Sequence, residues 1–339
     1  MINMPGISIV VCCYNGVKRL KPTLLHIAQQ NIRPDIGYEL IIVDNASDDN
    51  TADFAHKEWE TLNVSPISFK VVPESNPGLS NARKKGIAES TYDYLIFCDD
   101  DNWLAPDYAN IVFDFFQKNP QVAVAGGFGE PVFDENTLVP DWFDRFSGSF
   151  AVGPQASDTN TEMNFVYGAS MAIKKSIFNN AYFKTHTFLD DRKGKNLSAG
   201  GDGEICYKVK LMGYKVAYLQ SLKFKHHISE GRLNWPYLKR LQIGFAESFV
   251  ALDLYLMAIS NGRQRLPGFY WLKKMFYYYL IYLKYWPTHF SAYSKASGTI
   301  EEIRHITWKT IALSYLKYNF ETVEMYRKIT SLKTEKQTT

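Results

Sequence analysis

Three consecutive carboxylates, Asp99-Asp100-Asp101, directly follow the apolar run Tyr94–Cys98. Adjacent carboxylates repel one another unless a cation or hydrogen-bond donors offset their charge. Hard oxygen ligands suit Mg²⁺ or Mn²⁺, which such sites usually share with the phosphate oxygens of a substrate. The triplet therefore predicts a divalent-metal site, and the alternative is an acidic turn that caps the following helix.

A second group of carboxylates lies in the segment Gly200-Gly201-Asp202-Gly203-Glu204, at the start of a predicted helix. Its glycines would let a substrate approach Asp202 closely, whereas a simple N-cap is the alternative role for this residue. His226 and His227 end a strand-like run, and Arg83 lies in a predicted helix. A structural role is the alternative for each of them. Their order and context along the chain must therefore decide what they do.

The elements that position these residues begin with five short, apolar runs in the first 125 residues. The predicted strands are Ile7–Cys13, Leu40–Val43, Phe69–Val72, Tyr94–Cys98 and Val122–Ala125, and helix-like segments alternate with them. This alternation predicts an α/β fold with a mostly parallel, doubly wound sheet. The polar residues that follow the first four strands are Asn15, Asp44, Asn76 and Asp99–Asp101. Ligands collect at this edge of an open α/β sheet, so we expect one shared crevice there.

After residue 126 the pattern loosens and then becomes helical. Further strands are predicted at Phe165–Ile173, Tyr214–Leu219 and Leu222–His226, with a helix over Asp202–Met212. From Pro236 the chain is helical and rich in aromatic residues, with a break at Gly262–Gly268.

The segment Phe269–Trp286 is predicted to be an amphipathic helix with an unusually aromatic face. On a helical wheel Lys273, Lys274 and Lys284 lie close together, and the aromatic and aliphatic side chains spread over the opposite side. Two roles stay open for this helix. It can pack on the catalytic domain or in a homo-oligomer interface, or it can lie in the plane of a membrane surface.

Composition and charge restrict the class of protein. The net charge is only +3, from 38 basic and 35 acidic residues, which argues against a nucleic-acid-binding protein. Cys12 and Cys13 are neighbours in a strand and cannot form an ordinary disulfide, which favours free thiols in a reducing compartment. Met1–Ser8 has no charged n-region and no long apolar stretch, so no secretory signal is expected, and no run of about 18 uncharged apolar residues occurs. We therefore expect a cytoplasmic protein, with peripheral attachment to the inner face of the cell membrane if residues 269–286 meet lipid.

Six segments resemble, in this order, the motifs of family 2 glycosyltransferases of the GT-A fold. They are SIVVCCYNG (8–16), IIVDNASDDNT (41–51), NPGLSNARKKG (76–86), YLIFCDDDNW (94–103), GGDGEICYKVKLMGYKV (200–216) and HHISEGRL (226–233). The resemblance implies a GT-A, Rossmann-like catalytic domain over residues 1–235. Its nucleotide-binding half is expected at 1–125 and its acceptor-binding half at 126–235, and a helical, aromatic-rich C-terminal region follows at 236–339.

The resemblance also implies an activity. The chain would transfer a sugar from a nucleotide-diphosphate donor, with a UDP-sugar favoured, to a hydroxyl of a glycan or lipid-linked acceptor. Such a reaction belongs to polysaccharide or glycan assembly.

Individual roles follow from the same resemblance. Asp202 is the expected catalytic base, and Asp101 with His226 is expected to hold Mn²⁺ or Mg²⁺, with Arg232 in the stretch that follows. The expected nucleotide-binding residues are Cys13, Tyr14, Asn15, Asp44, Arg83, Asp99 and Asp100. Two positions depart from the family pattern, since Asp100 replaces a small residue and Gly201 replaces a glutamate.

These roles predict a mechanism. Breaking the anomeric C–O bond leaves negative charge on the diphosphate, which a cation held by Asp101 would stabilise. Asp202 would remove the proton of the acceptor hydroxyl as it attacks. A hydroxyl activated by one carboxylate, with no evident nucleophile, predicts single displacement with inversion at the anomeric carbon.

Two other classes of protein remain as alternatives. A nucleotidyltransferase should carry a glycine-rich phosphate loop with a basic residue just after the first strand, where Cys12–Asn15 stands instead. A non-catalytic scaffold that binds sugar nucleotides should have lost the catalytic and metal-binding residues, whereas Asp101, Asp202 and His226 are all present.

Overall fold

The computed structural model describes residues 5–63, 67–158, 161–180, 183, 187–189, 199–262, 265–286 and 298–331. The strands in these ranges are β1 (Gly6–Cys13), β2 (Gly37–Asp44), β3 (Ser68–Pro73), β4 (Tyr94–Asp99), β5 (Asn102–Leu104), β6 (Val122–Val132), β7 (Thr161–Met163), β8 (Met171–Lys174) and β9 (Lys215–His227). They form one sheet in the order β3-β2-β1-β4-β8-β6-β9-β5, with β7 paired to β9.

The helices alternate with the strands and then continue alone to the end of the described chain. They are α1 (Leu20–Ala28), α2 (Thr51–Leu62), α3 (Leu79–Glu89), α4 (Tyr108–Lys118), α5 (Phe143–Phe146), α6 (Gly201–Leu211), α7 (Trp235–Ser260), α8 (Tyr270–Lys284), α9 (Ile300–Tyr318) and α10 (Glu321–Thr330). Short 3-10 turns occur at Ser147–Phe150, Lys175–Asn179 and Glu230–Arg232.

The sheet is covered by helices on both faces. Helices α1, α2 and α4 bury their apolar side chains on one face, and α3 and α6 pack on the other. β1 and β2 are almost wholly buried, as expected for apolar, β-branched strands at the centre of a parallel sheet. β1 to β4 pair in parallel, whereas β8 is antiparallel to both β4 and β6. The predicted α/β fold with a doubly wound sheet is therefore confirmed.

Three strand predictions differ from the structure. The predicted strand Phe165–Ile173 is reduced to β8, because residues 165–170 form a loop and a turn. The two predicted strands at 214–226 are one strand, β9, whose pairing with β6 shifts register between Gly126 and Phe128. At this shift a Cβ on Gly127 would lie 2.0 Å from the carbonyl oxygen of Leu222. The absence of a side chain at Gly127 therefore makes room for this shift in register, and β9 continues through it.

The C-terminal helices pack on one another and on the catalytic sheet's helix α6 through a separate apolar cluster. α7 contacts α6, α9 and α10, and α8 lies along α9. Asp253 of α7 joins this assembly, because its carboxylate accepts hydrogen bonds from Tyr270, Tyr315 and Lys274. Lys274 therefore lies on the packed side of α8, and its predicted grouping with Lys273 and Lys284 on one charged side is wrong.

Helix α7 alone among the described helices is long and apolar enough to cross a membrane, with a mean hydropathy of 1.5 over its most apolar stretch. Half of that stretch is buried inside the structure. The helix also carries Glu247 and Asp253, which is why no uncharged apolar run marks it in the sequence. Its burial is typical of a helix in a protein core.

The predicted domain boundaries stay predictions. The boundary at residue 235 coincides with the first residue of α7, and the division at residue 125 falls inside β6.

Candidate active site

A cavity of about 910 Å³ opens at the carboxyl ends of β1, β2 and β4, the edge at which the sequence predicts a shared crevice. Its volume lies in the range of roughly 300–1,000 Å³ that is usual for small-molecule sites. The loops after these strands form one part of its wall, and the first turn of α6 and one side of α7 form others. The predicted site residues that line it are Cys13, Tyr14, Arg83, Asp99, Asp100, Asp101, Asp202 and His226.

Asn15 and Asp44 do not line this cavity, although they follow the central strands as predicted. The side-chain oxygen of Asn15 accepts a hydrogen bond from the Asp48 amide at 2.8 Å. A carboxylate oxygen of Asp44 accepts one from the Ser47 amide at 3.2 Å. Both side chains thus fix the loops that border the cavity, and their direct contact with a nucleotide stays a prediction.

The same loops hold strained backbone. Asn15 has a φ of 51° and Ala46 a φ of 56°, in the left-handed region that non-glycine residues seldom adopt. Ala46 lines the cavity. Such conformations persist where surrounding contacts enforce them, and they are frequent at binding sites.

Asp100 is buried and bound by Arg19, a residue that the sequence interpretation did not single out. The Arg19 guanidinium makes two hydrogen bonds to the carboxylate, at 2.6 and 3.2 Å. Burial and the neighbouring charge of Asp101 raise the pKa of Asp100 to about 6, against the opposing effect of Arg19. Arg19, the residue just before α1, thus supplies part of the hydrogen-bond donors that three adjacent carboxylates need.

Asp101 is the centre of a second buried cluster. Its carboxylate lies 2.9 Å from Nη2 of Arg232 and 3.6 Å from Nε2 of His226. Burial opposes ionisation, yet the charges of Arg232, His226 and Arg19 hold the pKa of Asp101 well below its usual range. These charges favour the ionised carboxylate, the form that a metal ligand must have.

His226 has the orientation that metal binding through Nε2 requires. Its Nδ1 lies 2.7 Å from the carbonyl oxygen of Phe150, so Nδ1 carries the hydrogen and donates it. A metal-binding histidine usually donates its other ring N–H in this way. When the ring is neutral, Nε2 carries no hydrogen; this atom lies 3.6 Å from the Asp101 carboxylate and 3.4 Å from Nη1 of Arg232.

Within the part of the chain that the structure describes, no group of three or more His, Cys, Asp or Glu side chains could hold a metal ion. Asp101 and His226 would supply two ligands to a cation. Mg²⁺ is usually held by one or two carboxylates together with phosphate oxygens and water. The pair therefore fits a cation that arrives with a phosphorylated substrate.

Asp202 lies in the first turn of α6, two residues beyond the N-cap. The N-cap position is occupied by Gly200, with a φ of 108°, so the N-cap role for Asp202 is wrong. Its two carboxylate oxygens accept hydrogen bonds from the amides of Gly168 at 2.8 Å and Gly203 at 2.9 Å. These backbone donors fix the orientation of the carboxylate at the cavity wall.

Gly168 lets Asp202 and Arg83 approach the same point. A Cβ at Gly168 would lie 2.9 Å from Cβ of Asp202 and 3.0 Å from Nη2 of Arg83. Arg83 is itself buried, with its guanidinium carbon 5.3 Å from the centre of the Phe97 ring. The predicted nucleotide-binding arginine and the predicted base thus border one small region of the cavity.

Glu204, two residues beyond Asp202, points away from the cavity and into the core. Its carboxylate accepts hydrogen bonds from the amides of Phe188 and Leu189 and from the hydroxyl of Tyr255, at 2.9, 3.2 and 2.9 Å. Glu204 is therefore a structural residue that ties the chain before α6 to α7.

One side of α7 completes the cavity, which the sequence interpretation missed. Its lining residues recur at helical spacing: Tyr237, Leu241, Phe245, Ser248 and Leu252. The spacing is visible in the sequence, but an apolar stripe on a helix more often marks packing against a core than a binding site. Arg19 and Gly168 were missed because their partners lie 81 and 34 residues away in the chain.

The family model for Glycosyl transferase family 2 matches residues 8–180, just over half of the chain. Glucosyl-dolichyl phosphate glucuronosyltransferase of Haloferax volcanii is 25% identical over 245 residues, which cover 68% of this chain and 72% of the relative. Poly-beta-1,6-N-acetyl-D-glucosamine synthase of Staphylococcus aureus is 22% identical over 218 residues, or 63% of this chain, and the alignment spans 48% of that synthase.

The crystal structure of S. aureus TarS 1–349 in complex with UDP superposes with a TM-score of 0.51 at 13% identity. The match covers 95% of this chain and 91% of that chain. At this identity the likeness shows the fold alone, and it agrees with the GT-A fold that the sequence motifs imply. The matched family and the shared fold together confirm the resemblance: this chain belongs to glycosyl transferase family 2.

Proposed function

We propose that this glycosyltransferase is metal-dependent and inverting, and that it transfers a sugar from a UDP-sugar to a hydroxyl of a glycan or lipid-linked acceptor. The observation that carries the proposal is the arrangement inside one cavity. Asp101, His226 and Arg232 form a charged cluster at the end of β4 and β9, and Asp202 presents its carboxylate from α6. A group suited to the leaving diphosphate and a group suited to the acceptor are thus both present.

The relatives support the two substrate classes. The TarS structure that shares this fold contains UDP, which favours a uridine nucleotide here. The archaeal relative is named for a dolichyl phosphate-linked sugar and the staphylococcal one for a polysaccharide that it makes. An acceptor of either kind offers a sugar hydroxyl.

On the donor side, the residues act by charge and position. Arg83 is expected to hold the nucleotide, and the Arg19 and Arg232 guanidiniums lie beside the carboxylates at the cavity centre. Preorganised cationic groups near a developing negative charge stabilise the transition state without reorganising. Arginine suits this task because its planar fork binds phosphate oxygens through two hydrogen bonds.

Asp101 and His226 would hold the divalent cation, Mn²⁺ or Mg²⁺, together with donor phosphates. The cation would supply positive charge to the departing diphosphate. The lowered pKa of Asp101 and the hydrogen bond from Nδ1 of His226 to the Phe150 carbonyl support this assignment.

On the acceptor side, Asp202 accepts the proton of the attacking hydroxyl. Hydrogen bonds from the amides of Gly168 and Gly203 hold its carboxylate in one orientation, so little reorganisation is needed before proton transfer. The aromatic and apolar side of α7 forms the adjoining wall, a surface on which a sugar ring can pack. Attack by a hydroxyl activated in this way displaces the diphosphate in one step and inverts the anomeric carbon.

A cytoplasmic location is part of the proposal. Cys13, Cys98 and Cys206 are buried free thiols, which suits a reducing compartment.

The decisive experiment measures donor hydrolysis and binding across UDP-, GDP- and dTDP-sugars, with Mn²⁺ and with excess chelator. We expect hydrolysis of a UDP-sugar with Mn²⁺, loss of hydrolysis in chelator, and a product anomer opposite to that of the donor by NMR. Full activity in chelator would contradict the metal requirement, and retained configuration would contradict inversion. Tight nucleotide-sugar binding with no turnover on any acceptor would instead favour the non-catalytic scaffold.

A further inference from the structure

Helix α8 turns a continuous apolar side to solvent. Phe276, Leu280 and Leu283 are 52%, 62% and 41% exposed, and Phe269, just before the helix, is 69% exposed. Their spacing puts all four within about 60° of one another around the helix axis. Contiguous apolar surface of this kind usually marks a contact with a protein or a membrane.

The opposite side of α8 already has its packing partners. Tyr278 stacks on Tyr315 of α9, with ring centroids 6.1 Å apart. Tyr270 donates a hydrogen bond to Asp253 of α7 at 2.6 Å. The exposed side is therefore not the surface that attaches α8 to the rest of the protein.

Helix α9 and the turn that follows it extend the same surface. α8 and α9 are antiparallel neighbours, since Trp271 contacts Phe320 at one end and Tyr282 contacts His305 at the other. Asp253 of α7 binds side chains of both helices, so their exposed sides face away from α7 together. We call this surface the docking face; it comprises Phe269, Phe276, Leu280, Leu283, Leu316 and Phe320.

Positive charge borders the docking face. Lys273 and Lys284 are exposed and lie about 60–80° from Phe276 around the axis of α8. Lys309 and Lys317 are exposed on α9. Residues 253–321 carry nine lysines and arginines against one aspartate and three glutamates, a balance of +5, so the remainder of the chain balances to −2 to give the total of +3.

We propose that the docking face binds an anionic lipid surface, with α8 lying in the plane of the interface. Aromatic and leucine side chains would enter the boundary between headgroups and acyl chains, and the bordering lysines would contact lipid phosphates. A second copy of this chain is a poorer occupant, because a two-fold axis would bring the same lysine-bordered surfaces against each other. This inference concerns where the chain acts, and it goes beyond the proposed transfer reaction.

The test is co-sedimentation of the full chain with vesicles of phosphatidylcholine, with and without phosphatidylglycerol, in the absence of donor and acceptor. We expect binding that requires phosphatidylglycerol and weakens at high salt. Lys273→Gln with Lys284→Gln should reduce affinity by about fivefold for each lysine removed. Phe276→Ser with Leu280→Ser should abolish binding, because the inserted apolar area is lost. Circular dichroism checks that each variant is folded.

The matched control is Lys57→Gln with Lys118→Gln, which removes the same charge from exposed positions on α2 and α4. Its vesicle affinity should equal that of the unmodified chain. Equal binding to both vesicle types, no binding at all, or an equal loss in the control would overturn the proposal. A dimer in light scattering that the Phe276→Ser and Leu280→Ser changes dissociate would assign the face to a second copy and overturn it as well.

Discussion

The guanidinium of Arg232 lies 2.9 Å from the carboxylate of Asp101, in a cluster where Asp101 is almost fully buried. Its other terminal nitrogen is 3.4 Å from Nε2 of His226. Arg232 thus holds a positive charge against both side chains that we propose as metal ligands. A cation held by these two ligands would displace the contacts with Arg232, and the guanidinium would become available for a phosphate oxygen.

This competition predicts that Arg232→Gln binds Mn²⁺ more tightly than the unmodified chain when no donor is present. We expect a gain of about tenfold, because a neighbouring positive charge has been removed. Electron paramagnetic resonance of free Mn²⁺ measures it directly. Arg232→Lys keeps the charge and should change the affinity much less; equal affinities in all three proteins would mean that the guanidinium does not compete.

The role of Asp202 predicts a loss of chemistry without a loss of binding. Asp202→Asn should lower turnover by about 10²- to 10⁴-fold, the usual contribution of a general base. The asparagine oxygen can still accept the Gly168 amide, but its NH2 group would face the Gly203 amide, so we expect a modest loss of stability. The calorimetric donor affinity should stay nearly unchanged. Asp53→Asn, at an exposed position of α2, is the control and should keep full turnover. If Asp202→Asn turns over at the rate of the unmodified chain, Asp202 is not the general base.

Gly168→Ala tests how tightly Asp202 and Arg83 converge. The added methyl would lie 2.9 Å from Cβ of Asp202, so one of the two side chains must shift. We expect about 1–3 kcal/mol of destabilisation, as for other overpacked sites, together with lower turnover. Gly268→Ala adds a methyl in open space and should change neither quantity. If the two variants have the same melting temperature and the same turnover, the close approach at Gly168 does not matter for stability or activity.

Glu204→Gln should show the reverse pattern of Asp202→Asn. Glu204 accepts three hydrogen bonds in the core, and an amide cannot accept all of them through one oxygen. Leaving a buried donor without an acceptor costs about 1–3 kcal/mol. Urea denaturation should therefore find the variant destabilised, while the donor affinity of its folded form is retained. A fully stable variant with no activity would move Glu204 into the chemistry.

The sequence predicted the parts of the site that depend on local pattern. Apolar, β-branched runs such as Ile7–Cys13 fix buried strands, and the residues that end them must meet at one sheet edge. That is why Asp99–Asp101 could be assigned to a crevice before any contact was known. The order of the six motifs then supplied the family.

The sequence could not predict contacts between distant segments. Nothing near Arg19 indicates Asp100, 81 residues away, and Gly168 is explained only by the side chains that crowd it. The helical wheel of α8 could not show which side of the helix faces α7 and α9. Lys274 was misassigned for this reason, because Asp253 of α7 draws it to the packed side.

Helix α7 carries two sets of side chains with different neighbours. One stripe, from Tyr237 to Leu252, lines the cavity, and Asp253 on the same helix anchors α8 and α9. A chain cut at residue 235 would keep all six motifs yet lose this wall, so the minimal enzyme must include the C-terminal helices. Because α7 connects the cavity wall to α8 and α9, it also fixes the orientation of the cavity. A protein bound through the exposed side of α8 and α9 would hold the opening of the cavity at one constant angle to the surface that it binds.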